Sequence, residues 1–350
     1  MEESSGLFGS WAVGGSYSVS LAVALVLLPA AVYTLNVLTR FPEPLNYVKT
    51  SPGLRGLPAG ELKTRIQQVY PESALGEAVY VSLPFGTSKY SISGPLGGRK
   101  IVMLHGLSVP SIILKDLVDH LVLAGYRVLT YDIYGRGYSD SPHEVSLPIY
   151  TSQLALIMQH AGWEKARVIG LSMGGAIAAG FAAQFPHLVD GDVALLAPAG
   201  NFTSTKPIGR ILAFFSNAPF VWLMSRDFVR RLSRPPHVPG NPEQAILQLV
   251  ALQWKAVPRL PYTLASTLRY GPLRGMGPSF YALEKSSLRV LIMHGLEDVT
   301  VPYSPYISPI LTDFMPTAKL ITIPQAGHDF VFTRPAYVAE ELTKFFDGKK

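Results

Sequence analysis

The chain has 350 residues, 48% of them hydrophobic, and carries a formal charge of +6. That is enough apolar material for one large core with an insertion or a tail, while the absence of cysteine excludes disulfides, thiolate metal sites and a cysteine nucleophile. The positive excess lies in one segment without the aromatic and basic pattern of a nucleic-acid-binding fold, so nucleic acid is not an expected partner.

The first predicted element is a membrane anchor. No charged residue occurs from Ser4 to Thr39, and Val19 to Leu38 is long enough for one spanning helix. A cleaved signal peptide competes poorly, because the chain opens with Glu2 and Glu3 rather than a basic stretch. Arg40, Lys49, Arg55, Lys63 and Arg65 follow the span and nothing basic precedes it. The expected topology is therefore a single-pass N-terminal anchor with a cytosolic body, the endoplasmic reticulum being one candidate membrane. The sequon Asn201-Phe202-Thr203 points the other way, since it matters only for a lumenal body.

Residues 1–40 are thus read as the anchor and 41–76 as a Pro- and Gly-containing linker with a helix over Glu61–Val69. A hairpin is predicted next, Glu77–Leu83 returning as Ser88–Ser93 around Pro84-Phe85-Gly86. Buried strands and helices then alternate. Strands are predicted over Lys100–Leu104, Arg127–Tyr131, Arg167–Gly170 and Gly191–Leu196, and later over Arg289–Met293 and Lys319–Ile323. Helices are predicted over Ser152–His160, after Ser172, and over Tyr337–Phe346. This is an α/β pattern with a mostly parallel sheet.

Gly170-Leu171-Ser172-Met173-Gly174 falls between a strand and a helix, the setting in which a sharp turn presents a serine hydroxyl outward. Alone the pentapeptide is a modest signal in a chain with 31 glycines. A nucleophilic serine needs a base, and the base needs an orienting acid, each on a loop after a later strand. Asp298, in Gly295-Leu296-Glu297-Asp298, is the predicted acid, with Glu297 as the neighbour that could replace it. His328, in Ala326-Gly327-His328, is the predicted base. Backbone N–H groups of Leu107, after His105-Gly106, and of Met173 are the predicted oxyanion donors.

From Gly200 to Lys285 the alternation breaks. This stretch holds eleven Lys and Arg against three Asp and Glu, a net of 11 − 3 = +8, so the remainder sums to 6 − 8 = −2. A helix from Asn217, with Phe220, Met224, Phe228 and Leu232 on one face and Arg226 and Arg230 on another, is predicted here. A second begins at Asn241-Pro242-Glu243-Gln244, with Ile246, Leu249, Val250 and Trp254 forming an apolar stripe. Such stripes can simply pack on the main domain, or form a lid over an acyl pocket with a basic face toward lipid headgroups.

Taken in order, His105-Gly106, the run Tyr131–Asp140, the Ser172 elbow, Asp298 before Val301-Pro302, and Ala326-Gly327-His328 resemble an α/β-hydrolase with a serine nucleophile, over about residues 77–346. The resemblance implies the α/β-hydrolase fold: an eight-stranded sheet with a helical cap inserted after the sixth strand. The core is then 77–199 and 286–350 and the cap 200–285. It also implies a structural role for His105. With the N-terminal transmembrane helix and the cap, the chain looks most like membrane-anchored monoacylglycerol lipases. The expected activity is hydrolysis of a lipid-like carboxylic ester through an acyl-enzyme at Ser172, without cofactor or metal. Acyl transfer, peptide cleavage and C–C bond hydrolysis could use the same triad, and a non-catalytic binding protein on this fold is a further alternative. The remaining histidines lack metal-ligand spacing, Asp132 and Asp140 precede the serine and read as turn caps, and Gly135-Arg136-Gly137 lacks the third glycine of a dinucleotide loop.

Overall fold

The computed structural model describes residues 27–35, 50–142, 144–202 and 242–348, without the side chains of 242–246. The chain divides into two units, 1–47 and 48–350. In the first, residues 27–35 are helical and expose Leu27, Leu28, Val32, Tyr33 and Leu35. The rest of the expected span, 19–26 and 36–38, lies outside the described residues. Among the described residues, no helix is long and apolar enough to cross a membrane.

Among the described residues, the second unit holds ten strands: β1 (Thr50–Ser51), β2 (Val79–Leu83), β3 (Gly86–Ser93), β4 (Arg99–Leu104), β5 (Tyr126–Tyr131), β6 (Ser141–Pro142), β7 (Ala166–Leu171), β8 (Val189–Leu196), β9 (Arg289–Gly295) and β10 (Lys319–Ile323). Eight form one sheet in the order β10-β9-β8-β7-β4-β5-β3-β2, while β1 and β6 pair apart from it. In this sheet β3 pairs antiparallel with both β2 and β5; the pairings β5-β4, β4-β7, β7-β8, β8-β9 and β9-β10 are parallel.

Strand side chains alternate between two apolar layers. Val102, Leu104, Val168, Val193 and Ile292 face one layer. Ile101, Met103, Ile169, Ala194 and Leu291 face the other. Both layers are covered by helices, which is why the central strands read as continuous apolar runs. On the first face lie α3 (Leu147–His160), α4 (Met173–Gln184) and α7 (Gly277–Glu284); on the second lie α2 (Lys115–Leu123), α8 (Phe330–Thr333) and α9 (Pro335–Phe346). In α4 every residue from Met173 to Ala182 is buried. Its Ala and Gly content lets it sit close to β7 and β8.

Among the described residues, α5 (Pro242–Ala256) and α6 (Leu260–Tyr270) precede α7 between β8 and β9. They share a third apolar cluster with residues ahead of the sheet: Leu249, Leu252, Leu260 and Leu264 meet Leu54, Ile66 and Tyr70. Residues 50–76, the described part of the expected 41–76 linker, therefore contribute a buried face, and α1 (Glu61–Val69) packs against α5. The helix expected from Asn217, with its Arg226 and Arg230, lies outside the described residues. Within the stretch expected as a cap, α7 packs beside α4, with Phe280 and Leu283 in the first apolar layer.

Candidate active site

Ser172 lies between β7 and α4 with φ 55° and ψ −117°, a left-handed backbone that a non-glycine residue rarely adopts. Strain of this kind costs about 1–3 kcal/mol and persists where neighbours over-determine it. Here the Ser172 N–H donates to Leu196 O at 2.8 Å, and its C=O accepts from Gly175 and Ala199, each at 2.9 Å. The flanking glycines follow from close approach. A Cβ on Gly170 would stand 2.1 Å from Gly174 O, and one on Gly174 would stand 2.5 Å from both Leu104 O and His105 O.

The loop after β4 runs beside this turn. A Cβ on Gly106 would sit 3.4 Å from Ser172 Cβ and 3.9 Å from its Oγ. His105, fully buried, explains the loop's shape. Its Nε2 accepts the Ile133 N–H at 2.9 Å, so its Nδ1 carries the proton and donates to Gly106 O at 2.9 Å. Because the peptide is trans, holding Gly106 O toward His105 turns the Leu107 N–H the opposite way. Burial foremost, with the Arg136 charge, pushes the imidazole down to about 4 against the pull of Asp132, so His105 stays neutral. Among the described residues, neither the Leu107 N–H nor the Met173 N–H has an acceptor. The second is one of the first-turn donors that a helix leaves unused.

Asp298 follows β9 and His328 follows β10. Asp298 Oδ1 accepts the Thr300 and Val301 N–H groups, both at 2.8 Å, which leaves Oδ2 to meet His328 Nδ1 at 2.6 Å. Burial raises the carboxyl's pKa, but the hydrogen bond and charge of His328 with the Val301 N–H outweigh it, so Asp298 titrates below its ordinary range. The arrangement leaves the other ring nitrogen of His328 able to accept a proton. Glu297 is exposed. His294 is buried with neither ring nitrogen hydrogen-bonded, and its Nε2 stands 4.0 Å from Asp298 Oδ2. Burial pushes its pKa down and keeps it neutral.

Gly106, Ser172, Asp298 and His328 all follow the C-terminal ends of parallel strands, on one edge of the sheet. The structure joins Asp298 to His328 and sets Ser172 beside Gly106. Among the described residues, no hydrogen bond joins Ser172 Oγ to the His328 ring, a contact that unliganded sites often hold long. Asp132 and Asp140 are bound up in turns: Asp132 accepts Ser111 and Tyr138 N–H groups, Asp140 that of Thr87. The sequence reading missed Arg136, which is buried and donates to Leu107 O at 2.7 Å. The available signal was a long charged side chain inside a run of small turn residues.

Residues 101–341 match the alpha/beta hydrolase family. A carboxylesterase of Bacillus subtilis (strain 168) is 25% identical over 308 residues, covering 81% of this chain and 93% of its own. Lipase 3 of Moraxella sp. (strain TA144) is 22% identical over 268 residues, covering 75% and 81%. Among solved structures, the naproxen esterase of Bacillus subtilis superposes with a TM-score of 0.61 at 23% identity, over 83% of this chain and all of that one. A membrane phospholipase A described as a bacterial virulence factor gives 0.63 at 19% identity, over 95% and 98%.

Proposed function

The chain belongs to the alpha/beta hydrolase family, and on that premise we propose that it is a serine ester hydrolase acting on lipid-like carboxylic esters of the monoacylglycerol type. The observation that carries the reading is the 2.6 Å bond between His328 Nδ1 and a buried carboxylate whose other oxygen is held by two backbone N–H groups. It fixes the tautomer in which His328 Nε2 is free to accept a proton.

In the first half-reaction His328 Nε2 takes the Ser172 Oγ proton as Oγ bonds to the ester carbonyl carbon. The carbonyl π electrons move to oxygen, which the Leu107 and Met173 N–H groups receive. Collapse breaks the bond to the alcohol, His328 returns the proton to the leaving oxygen, and the acyl group stays on Ser172. Water then repeats the sequence with His328 as base, releasing acid and free Ser172. Each step uses groups of this chain and water.

The lipid assignment draws on three supports. The 200–285 stretch is basic and apolar in sequence, the first 39 residues contain an uncharged run of spanning length, and lipase and phospholipase relatives occur among the similar proteins. We place the body on the cytosolic side of a membrane by the basic residues that follow the run. Labelling of the full chain by a fluorophosphonate probe, with a p-nitrophenyl ester series of rising acyl length, tests the reading. Ser172→Ala is expected to abolish labelling and to lower kcat on the order of 10⁴-fold or more. A variant that hydrolysed the ester at the wild-type rate would sink the assignment. A glycan on Asn201 removable by glycosidase would reverse the topology.

A further inference from the structure

Arg136 is 1% exposed, yet among the described residues it forms no ion pair. Its Nε donates to Leu107 O at 2.7 Å, Nη1 to Tyr134 O at 2.9 Å and Tyr150 Oη at 3.0 Å, and Nη2 to Thr267 Oγ1 at 3.1 Å. Burying a cation without a counter-ion is costly, so the position would favour an apolar residue unless the guanidinium had a use. Gln253, equally buried, makes a parallel link. Its Oε1 accepts the Gly137 N–H at 2.9 Å and its Nε2 donates to Ser108 O at 3.2 Å.

Three successive carbonyls of the loop after β4 are thus each held by a buried side chain: Gly106 by His105, Leu107 by Arg136, Ser108 by Gln253. The Leu107 N–H lies between the first two. His105 belongs to the loop itself. The other two holders tie it to α5, which carries Gln253, and to α6, which carries Thr267. Thr267 Oγ1 also meets Tyr150 Oη at 2.8 Å, closing a triangle with Arg136.

We propose that Arg136 and Gln253 are positioning residues that make the direction of the Leu107 N–H depend on where α5 and α6 sit. The inference rests on the reading of Leu107 as an oxyanion donor. The inserted helices then do more than cover the site: their seating sets the donor's aim. Arginine suits the task because its planar fork reaches the loop carbonyl, Tyr134 O and the helix hydroxyl at once, which a lysine ammonium cannot do in the same geometry.

The test uses the full chain and compares kcat, KM and the inhibition constant of a trifluoromethyl ketone, whose tetrahedral adduct places an oxyanion in the same donors. Thr267→Val keeps shape and removes the hydroxyl; Gln253→Leu removes the second link. Each is expected to lower kcat about 3- to 20-fold and weaken the ketone by a similar factor, with KM within about twofold, since the lost interaction is made in the transition state. Arg136→Met is expected to lose about 10²-fold, near the lower limit for removing an oxyanion donor outright. Adding Thr267→Val to Arg136→Met should lower kcat no further, because Thr267 acts through Arg136. If Arg136→Met does not fold, the Thr267 and Gln253 variants decide. Unchanged kcat and ketone affinity in both, or losses confined to KM, overturn the inference while fluorophosphonate still labels Ser172. A wild-type chain that the probe does not label overturns the reading of Ser172, and this inference with it.

Discussion

Two buried carboxylates stand on loops at the same edge of the sheet, Asp132 after β5 and Asp298 after β9, and their surroundings send them to different uses. Asp132 is saturated. It accepts the Ser111 N–H and hydroxyl at 2.9 and 2.7 Å, the Tyr138 N–H at 2.9 Å and the Tyr70 hydroxyl at 2.9–3.0 Å. Behind Tyr70 lies Lys89, fully buried, with its Nζ 3.3 Å from the phenol oxygen and its pKa lowered by burial. Asp298 has one oxygen satisfied by backbone and the other committed to an imidazole that is partly open to solvent, the His328 side chain being 24% exposed. A carboxylate that binds fixed donors on both oxygens holds a turn together. One that leaves an oxygen for an imidazole can orient it.

The largest test of this contrast is Asp298→Asn. Its amide cannot hold the His328 tautomer, so kcat is expected to fall about 10⁴-fold while the melting temperature stays close to wild type. A small loss of kcat would erase the difference between the two acids. Asp132→Asn should do the reverse, lowering the free energy of urea unfolding by about 2–3 kcal/mol as an amide N–H₂ meets donors, with kcat of the folded fraction largely kept. Loss of kcat at unchanged stability would show Asp132 to be part of the chemistry.

A third test separates the acids from the neutral histidine between them. His105, held at about 4 when folded against 6.5 in the free side chain, takes up a proton in the unfolded chain first. Its contribution is complete above pH 6.5 and declines as pH falls toward 4, by about 2–3 kcal/mol between pH 7 and 4.5. Unfolding curves of His105→Asn at the two pH values should lack that increment. An equal pH slope in both proteins would contradict a neutral, buried His105. Asp298 acts lower on the pH axis, because its folded pKa is depressed: its contribution is present above the ordinary carboxylate range and is lost as pH falls through the lowered value.

The smallest effect is expected at Asp140, a carboxylate on the same turn as Asp132. Arg55 reaches it in fork fashion at 2.9–3.1 Å but is 37% exposed. Arg55→Ala should cost about 0.5–1 kcal/mol in urea unfolding and leave kcat unaltered. A larger loss would mean that exposure does not rank these carboxylates.

What could be read from sequence alone followed from steric and periodic constraints. The glycines beside Ser172 are demanded by backbone approaching within contact distance, and the two-layer burial of the central strands leaves uninterrupted apolar runs. Helix starts were harder. α3 begins at Leu147 rather than Ser152, and α6 begins at Leu260, each with a proline in its first turn. A proline there is favourable, since its missing N–H has no intrahelical partner, but in sequence it reads as a break. Arg136 was illegible for a different reason. Its value comes from a carbonyl and a hydroxyl supplied 29 and 131 residues away, at Leu107 and Thr267, and no local pattern records them.

The seating of residues 50–76 sets where an autonomous enzyme begins. Thr50 and Ser51 pair with Pro142 and Ser141, and Tyr70 donates to Asp132, beneath the turn that carries Arg136. Proteolysis ahead of Thr50 would leave these contacts whole. Cleavage ahead of Glu77, at the boundary that the first sheet strand suggests, would strip a phenol from the saturated carboxylate and uncover the apolar face of α5. The same 27 residues that read as a linker in sequence belong, by burial, to the body they precede.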